Sequence, residues 1–160
     1  MLSKPAKPVS DIKSVHMLAE ELREAMREND GIGIAAPQIG EPFRIFLVAK
    51  ELLAEETRRL VPSDVFINPK IVKKSFKRNV LEEGCLSVPG VFGNVPRSVR
   101  VTAEAYDLSG NKFRVAAEGL LAQIFQHEMD HLEGVLFVEK AKKSTLHRIT
   151  EEGKVEPWKF

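Results

Sequence analysis

The pentad His127-Glu128-Met129-Asp130-His131 sets two imidazoles four residues apart, with a carboxylate next to the first. In an α-helix, positions i and i+4 share one face, separated by a rise of about 6 Å, so both rings can reach one cation. Glu128 then stands where it can work on a metal-bound water rather than ligate the metal. The chemistry this suits is hydrolysis. Catalytic sites of this kind take three protein ligands and keep one position open for water, so a third ligand must be found. The longer pattern HExxHxxGxxH would supply it from the same segment, and Gly134 occupies its glycine position. Phe137 stands where the third His would be. A hydrophobic ring cannot ligate, so the search moves outside the helix.

The remaining candidates separate by context. His16 lies beside Met17 and Leu18 in an amphipathic segment and reads as a partly buried packing residue. His147 sits in a polar stretch and reads as solvated. Glu139 could complete a His, His, Glu set, as in a protease. Cys85 is the better candidate, because its thiolate is a strong ligand and it sits in a turn between Gly84 and Leu86.

Several elements must position these groups. Ser10 can cap a helix whose apolar residues Ile12, Val15, Ala19, Leu22 and Met26 follow helical spacing, ending near Asn29-Asp30-Gly31. The small residues and turn formers from Gly31 to Gly40 leave the backbone free to approach something closely. Arg44 to Ala49 reads as a buried strand, and Glu51 to Leu60 as a charged, helical surface insertion. Val65 to Asn68 and Ile71 to Phe76 read as short strands separated by Pro69, and Glu82 to Pro89 as a strand edge. Alternation from Val99 to Ala105, then Ser109-Gly110-Asn111 and Phe113-Arg114-Val115, signals an antiparallel hairpin. Gly119 to Leu132 carries Leu120, Leu121, Ile124, His127 and His131 on one helical stripe, so the metal would lie where this helix meets the sheet. The expected fold is α+β: small antiparallel or mixed sheets around a central C-terminal helix bearing HExxH, with an N-terminal helix. Beyond Lys140 a charged tail carries the only Trp, Trp158.

Composition bounds the rest. At 160 residues the chain fits one domain, 1–160, able to bury about two-thirds of its unfolded surface without staples, so a structural metal is not needed for folding. With 43% hydrophobic and 29% charged residues it is an ordinary globular chain, which excludes extensive disorder. The net charge of +1 creates no bulk field for nucleic acid or anionic membrane, though it excludes neither locally. No apolar run approaches the roughly 20 residues needed to span a bilayer, and the N-terminus lacks an apolar signal segment. A lone cysteine agrees with a reducing compartment. The cytoplasm is the expected location.

Three segments resemble, in order and spacing, the signature motifs of peptide deformylase: Gly31-Ile32-Gly33-Ile34-Ala35-Ala36-Pro37-Gln38, Glu83-Gly84-Cys85-Leu86-Ser87 and Gln126-His127-Glu128-Met129-Asp130-His131. HExxH alone is weak evidence for one reaction, whereas three motifs over about a hundred residues are specific. The resemblance runs from about Ala6 to Phe137. It implies hydrolysis of the N-formyl group on the initiator methionine of nascent polypeptides, in a bacterial cytoplasm or an organelle, with the ribosome near its exit tunnel as a second partner. It maps the ligands onto Cys85, His127 and His131. It also implies one divalent ion per chain, commonly Fe(II), with Zn(II), Ni(II) or Co(II) able to substitute. Glu128 would carry the proton from water to the leaving amine, while the Gln38 amide and the Leu86 N–H stabilise the developing oxyanion. Gly31, Ile32, Gly33, Leu120 and Ile124 would line the methionine pocket, with Glu83 near its rim. Gly33 would also leave room for the peptide to pair as an added strand. For Asp130 and Arg97 two readings stand side by side: support of an imidazole and its loop, or a plain ion pair.

The chain departs from the family pattern in two places. Relatives usually carry a strand and a Pro-Asp turn before the region of Ala6 to Val9, about a dozen residues more than stand here, which reads either as a shifted start or as a missing edge strand over part of the sheet. Phe92 replaces a residue that is basic or polar in many relatives, which would change binding along the peptide's exit path. A zinc endopeptidase and an inactive deformylase-like binding protein are the competing functional readings.

Overall fold

The first helix begins one residue later than Ser10 would place it. The Asp11 carboxylate accepts from the Lys13 N–H and caps a 3-10 turn, Ile12–Val15, which runs into α1 (His16–Glu28). Leu18, Ala19, Leu22 and Met26 form its buried stripe. The computed structural model describes residues 3–57 and 61–160. After α1 come β1 (Gly33–Ala35), a 3-10 turn (Ala36–Ile39), β2 (Ile45–Val48), α2 (Lys50–Thr57), β3 (Val65–Lys74), β4 (Arg78–Cys85) and β5 (Val88–Ser98). Next are β6 (Arg100–Tyr106), β7 (Lys112–Glu118), α3 (Gly119–Leu132), α4 (Phe137–Lys140), β8 (His147–Ile149) and β9 (Val155–Pro157).

These strands make two antiparallel sheets, one of five strands in the order β1-β2-β3-β6-β7 and one of four in the order β4-β5-β8-β9. Strand β2 explains the layering. Ile45 and Leu47 face the cluster under α1, while Phe46 and Val48 face the cluster under α3, so the strand is apolar throughout because both its faces are covered. Helix α3 lies between the sheets, against β1, β6 and β7 on one side and β5 on the other. Its Phe125 ring sits 5.1 Å from Phe66, which stacks on Phe46 at 4.8 Å.

Three expectations change. The two short strands around Pro69 are one strand, β3, because the proline falls in a register shift between Ile67 and Lys70. Asn68 takes a left-handed φ of 50° there, and its side chain bonds the Val9 backbone in both directions. The Glu51 to Leu60 segment is not simply a solvated face, since Leu53 is buried in the core; residues 58–60 lie outside the described residues. The stretch beyond Lys140 contributes sheet and core: β8 pairs with β5 through Val91 and Phe92, and Trp158 packs against the cluster of Val91, Val95, Phe137 and Val138. Among the described residues no helix is long and apolar enough to cross a membrane.

Phe125 joins α3 to the five-stranded sheet, so Phe125→Ala should lower unfolding free energy by about 3–5 kcal/mol in urea denaturation. A loss below about 1 kcal/mol would show that α3 is held by other contacts.

Candidate metal centre

Helix α3 presents His127 and His131 one turn apart, with ring centroids separated by 4.9 Å and the rings nearly perpendicular. The facing group comes from the other sheet. Strand β4 ends at Cys85, where a register shift against β5 after Gly84 turns the thiol toward the helix. Its Sγ lies 3.2 Å from His131 Nε2, and one donor atom from each of Cys85, His127 and His131 falls within 4.8 Å of the others. His127 spends Nδ1 on Glu83 Oε2 at 2.9 Å, which leaves Nε2 for the cluster.

Burial alone would raise the Cys85 thiol, yet hydrogen bonds from His127 and His131 hold it well below the ordinary thiol range, at about 5. Burial would likewise push the His127 proton off, but Cys85 and Glu83 hold it on, to about 10. A thiolate beside two imidazoles, all converging on one point, is a donor set for a borderline divalent ion that would displace this proton. Among the described residues, two buried side-chain atoms lack any hydrogen-bond partner, His131 Nδ1 and Glu128 Oε2. Desolvation raises the Glu128 carboxyl above its ordinary range, and its free oxygen marks space that a polar ligand beside the cluster would satisfy.

Other side chains are aimed by their own bonds. Gln38 Oε1 accepts from the Ala35 N–H at 2.8 Å, and this turns its amide nitrogen to Cys85 Sγ at 3.6 Å and Ser87 Oγ at 3.3 Å. Arg97 grips Glu83 with Nε and Nη2 at 2.7 and 2.8 Å, and reaches Asp130 with Nη1 at 2.7 Å. Lys140 holds the other Asp130 oxygen. Burial would raise Glu83, but Arg97 and His127 bring it down to about 2. An open groove of about 730 Å³ runs past the cluster, lined by Gly31, Ile32, Gly33, Leu120 and Ile124 among others. Ile32 and Leu120 are exposed along it, whereas Ile124 is buried.

The sequence profile of the polypeptide deformylase family matches residues 1–147. The chain belongs to that family. The peptide deformylase of Thermomicrobium roseum is 47% identical over 141 residues, covering 88% of this chain and 80% of the relative. A Synechococcus elongatus peptide deformylase crystallised with actinonin superposes with a TM-score of 0.79 at 40% identity, over 88% of this chain and 73% of that one. The Thermotoga maritima enzyme superposes at 0.77 with 35% identity, over 88% and 90%. The chain is therefore an enzyme, a metal-dependent deformylase, and neither the endopeptidase nor the inactive binding protein is favoured.

Against this family background, the sequence-predicted residues fall as follows. The structure gathers Gln38, Cys85, His127, Glu128 and His131 at one point, with Leu86 at the turn beside them. Glu83 lines the groove but is buried at 6% exposure, and its carboxylate is committed to His127 and Arg97 rather than to an open rim. Arg97 and Asp130 form a buried ion pair, and Arg97 also holds Glu83, the carboxylate that bonds His127. His16 is exposed, not packed, and its Nε2 lies 2.9 Å from the Leu108 carbonyl. His147 is half-buried and stacks on Phe92 at 5.8 Å, since β8 carries it onto β5. Glu139 is exposed and accepts from the Leu136 N–H, away from the cluster. Sequence reasoning missed Ser87 and Lys140 as partners, and the buried Phe137 ring, 6.3 Å from His127, as its wall.

Gly33 has a reason visible only in three dimensions: a Cβ there would meet Glu128 Oε1 at 2.7 Å and Ile124 Cγ2 at 3.0 Å. Gly33→Ala should cut kcat/KM by about a hundredfold, with thermal unfolding little changed, because it displaces the Glu128 carboxylate from beside the cluster. Unaltered kinetics would mean that Glu128 is free to shift. A second expectation concerns acid. The depressed Glu83 carboxyl adds stability above its unfolded value near 4.5 and loses that contribution as pH falls through about 2. Urea midpoints of the metal-free protein should fall more steeply across that window in the wild type than in Glu83→Gln; parallel curves would remove Glu83 as the cause.

Proposed function

We propose that this deformylase removes the N-formyl group from the initiator methionine of nascent polypeptides, in the cytoplasm and near the ribosomal exit tunnel, with Glu128 as the proton carrier. One observation carries the reading: a buried carboxylate with one unpartnered oxygen stands beside a convergent Cys, His, His donor set. Cys85, His127 and His131 hold the cation, Fe(II) as the physiological ion, and the same donors accept Zn(II), Ni(II) or Co(II). The bound ion supplies Lewis acidity and a water that ionises near neutrality.

The remaining steps belong to side chains. Glu128, raised by desolvation, takes the proton of the attacking water and returns it to the departing amine, because a base poised toward neutrality serves both transfers. The Gln38 amide and the Leu86 N–H donate to the oxygen on which charge develops, and Ser87 helps keep Gln38 in place. The methionine side chain lies in the groove along Ile32, Leu120 and Ile124, next to Gly31 and Gly33. The peptide backbone pairs beside β1, an edge strand of its sheet. Formyl is the smallest acyl group, and the walls at Gly33 and Gln38 exclude acetyl by size.

Anaerobically purified protein loaded with Fe(II) or Ni(II) should release formate from formyl-Met-Ala-Ser. Glu128→Gln should keep its metal and lose about 10²–10⁴ in kcat. Cys85→Ser should bind metal at least about tenfold more weakly in competition with a chelator. Full turnover in the first variant, or unchanged affinity in the second, would overturn the assigned roles.

A further inference from the structure

Away from the groove, the chain concentrates positive charge in one place. Between Asp64 and Glu82 the sequence holds Lys70, Lys73, Lys74, Lys77 and Arg78 and no acid, in a protein whose net charge is only +1. All five are exposed, and among the described residues none of them has a carboxylate partner. The turn between β3 and β4, Ser75 to Lys77, carries Phe76 at its middle, fully exposed at 104% and outside the core clusters.

The shape of the surface adds a direction. A groove of about 590 Å³ on the five-stranded sheet is lined by Lys73, Lys74, Arg100 and Arg114. A second, of about 280 Å³, is lined by Lys74, Arg78 and Lys140. The two share Lys74, so Lys73, Lys74 and Arg78 stand along their common border, whereas Arg114 is held by Glu104 at 2.7 Å and Lys140 by Asp130. The acids along this cation-lined track are paired, Asp130 with Arg97 and Lys140 and Glu118 with Arg100 at 4.0 Å, which leaves Lys73, Lys74 and Arg78 as the cations without a carboxylate partner among the described residues. A recessed, cation-lined track suits a flexible polyanion strand, whereas a flat anionic bilayer would meet only the protruding tip. An aromatic ring standing free at the edge of such a track is a platform on which an unpaired base can stack.

We propose that this face binds single-stranded RNA without sequence preference, the phosphates lying along the track through Lys73, Lys74 and Arg78 and a base stacked on Phe76. The choice of RNA rests on the nascent-chain reading, since a substrate still under synthesis brings RNA within reach; the binding itself does not depend on turnover. The catalytic groove lies at the opposite end of β4, along Glu82 to Cys85, from the Arg78 end that borders the track, so RNA and peptide can be held together.

Fluorescence anisotropy with a labelled mixed-sequence 20-nucleotide RNA tests this on the metal-loaded enzyme, with anionic phosphatidylserine vesicles as the second arm. Binding should be measurable near about 50 mM salt and weaken steeply toward about 200 mM. Lys73→Glu with Lys74→Glu should weaken it at least about tenfold, and Phe76→Ala about fivefold or more, while formate release and thermal unfolding stay at wild-type values. No wild-type binding at low salt, equal binding by the charge-reversed variant, or tighter binding to vesicles than to RNA would each overturn the proposal. Absence of formate release with RNA binding intact would instead count against the deformylase reading alone.

Discussion

The buried guanidinium of Arg97 is the tie on which the site's geometry depends. It comes from β5 of the four-stranded sheet, binds Glu83 of β4 with two parallel hydrogen bonds, and spends its remaining face on Asp130 of α3. Its side chain and that of Glu83 are each 3% exposed. Two carboxylates and a guanidinium out of water are costly unless each is fully paired, and here each is. The fork geometry sets how β4 and β5 lie against the helix. Since Glu83 also accepts from His127, the same tie selects which nitrogen of that ring faces Cys85.

From that constraint follows the division of labour between layers. The five-stranded sheet and α3 share an aromatic core that fixes where the two imidazoles and Glu128 stand. The four-stranded sheet delivers Cys85 at a strand end, where one residue of register changes the direction of the thiol. Phe137, in the ligand position of a longer metalloprotease pattern, instead fills the space behind His127 and belongs to the cluster under β5. The substitution that ends the one-helix ligand set therefore also seals the wall that a ligand from the second sheet requires.

How far all this was legible in the chain depended on the range of each interaction. The helix with HExxH, the hairpin at Ser109-Gly110-Asn111 and the buried strand at Arg44 to Ala49 were readable because periodicity and turn chemistry are local. Cys85, Gln38 and the two His could be joined because their motifs are local even though their meeting is not. Glu83, Arg97, Asp130 and Lys140 were readable only as charges, because nothing in a linear sequence says which opposite charge a buried one will meet. Glu83 was accordingly set at a rim it does not occupy. Strand β3 was split at Pro69 for a related reason: a proline breaks a ladder locally, and only the partner strand decides whether a bulge absorbs it. The last twenty residues looked like a tail because their strands are short and polar, and their pairing partner β5 lies about fifty residues away in the chain.

Charge balance links the apo and loaded states of the centre. The Cys85 thiolate, Glu83 and Asp130 bring three negative charges, and Arg97, Lys140 and protonated His127 bring three positive ones, with Glu128 pushed toward its neutral form by burial. These charges sum to zero, with Lys140, its side chain 45% exposed, closing the balance from the solvent side. A divalent ion held by the three donors would take the place of the His127 proton and leave the cluster one positive charge in excess. An ionised Glu128 would then restore neutrality, and that is the charge state the proposed proton carrier needs. On the proposed mechanism, an ion at the three donors would favour the ionised form of Glu128, which burial alone disfavours.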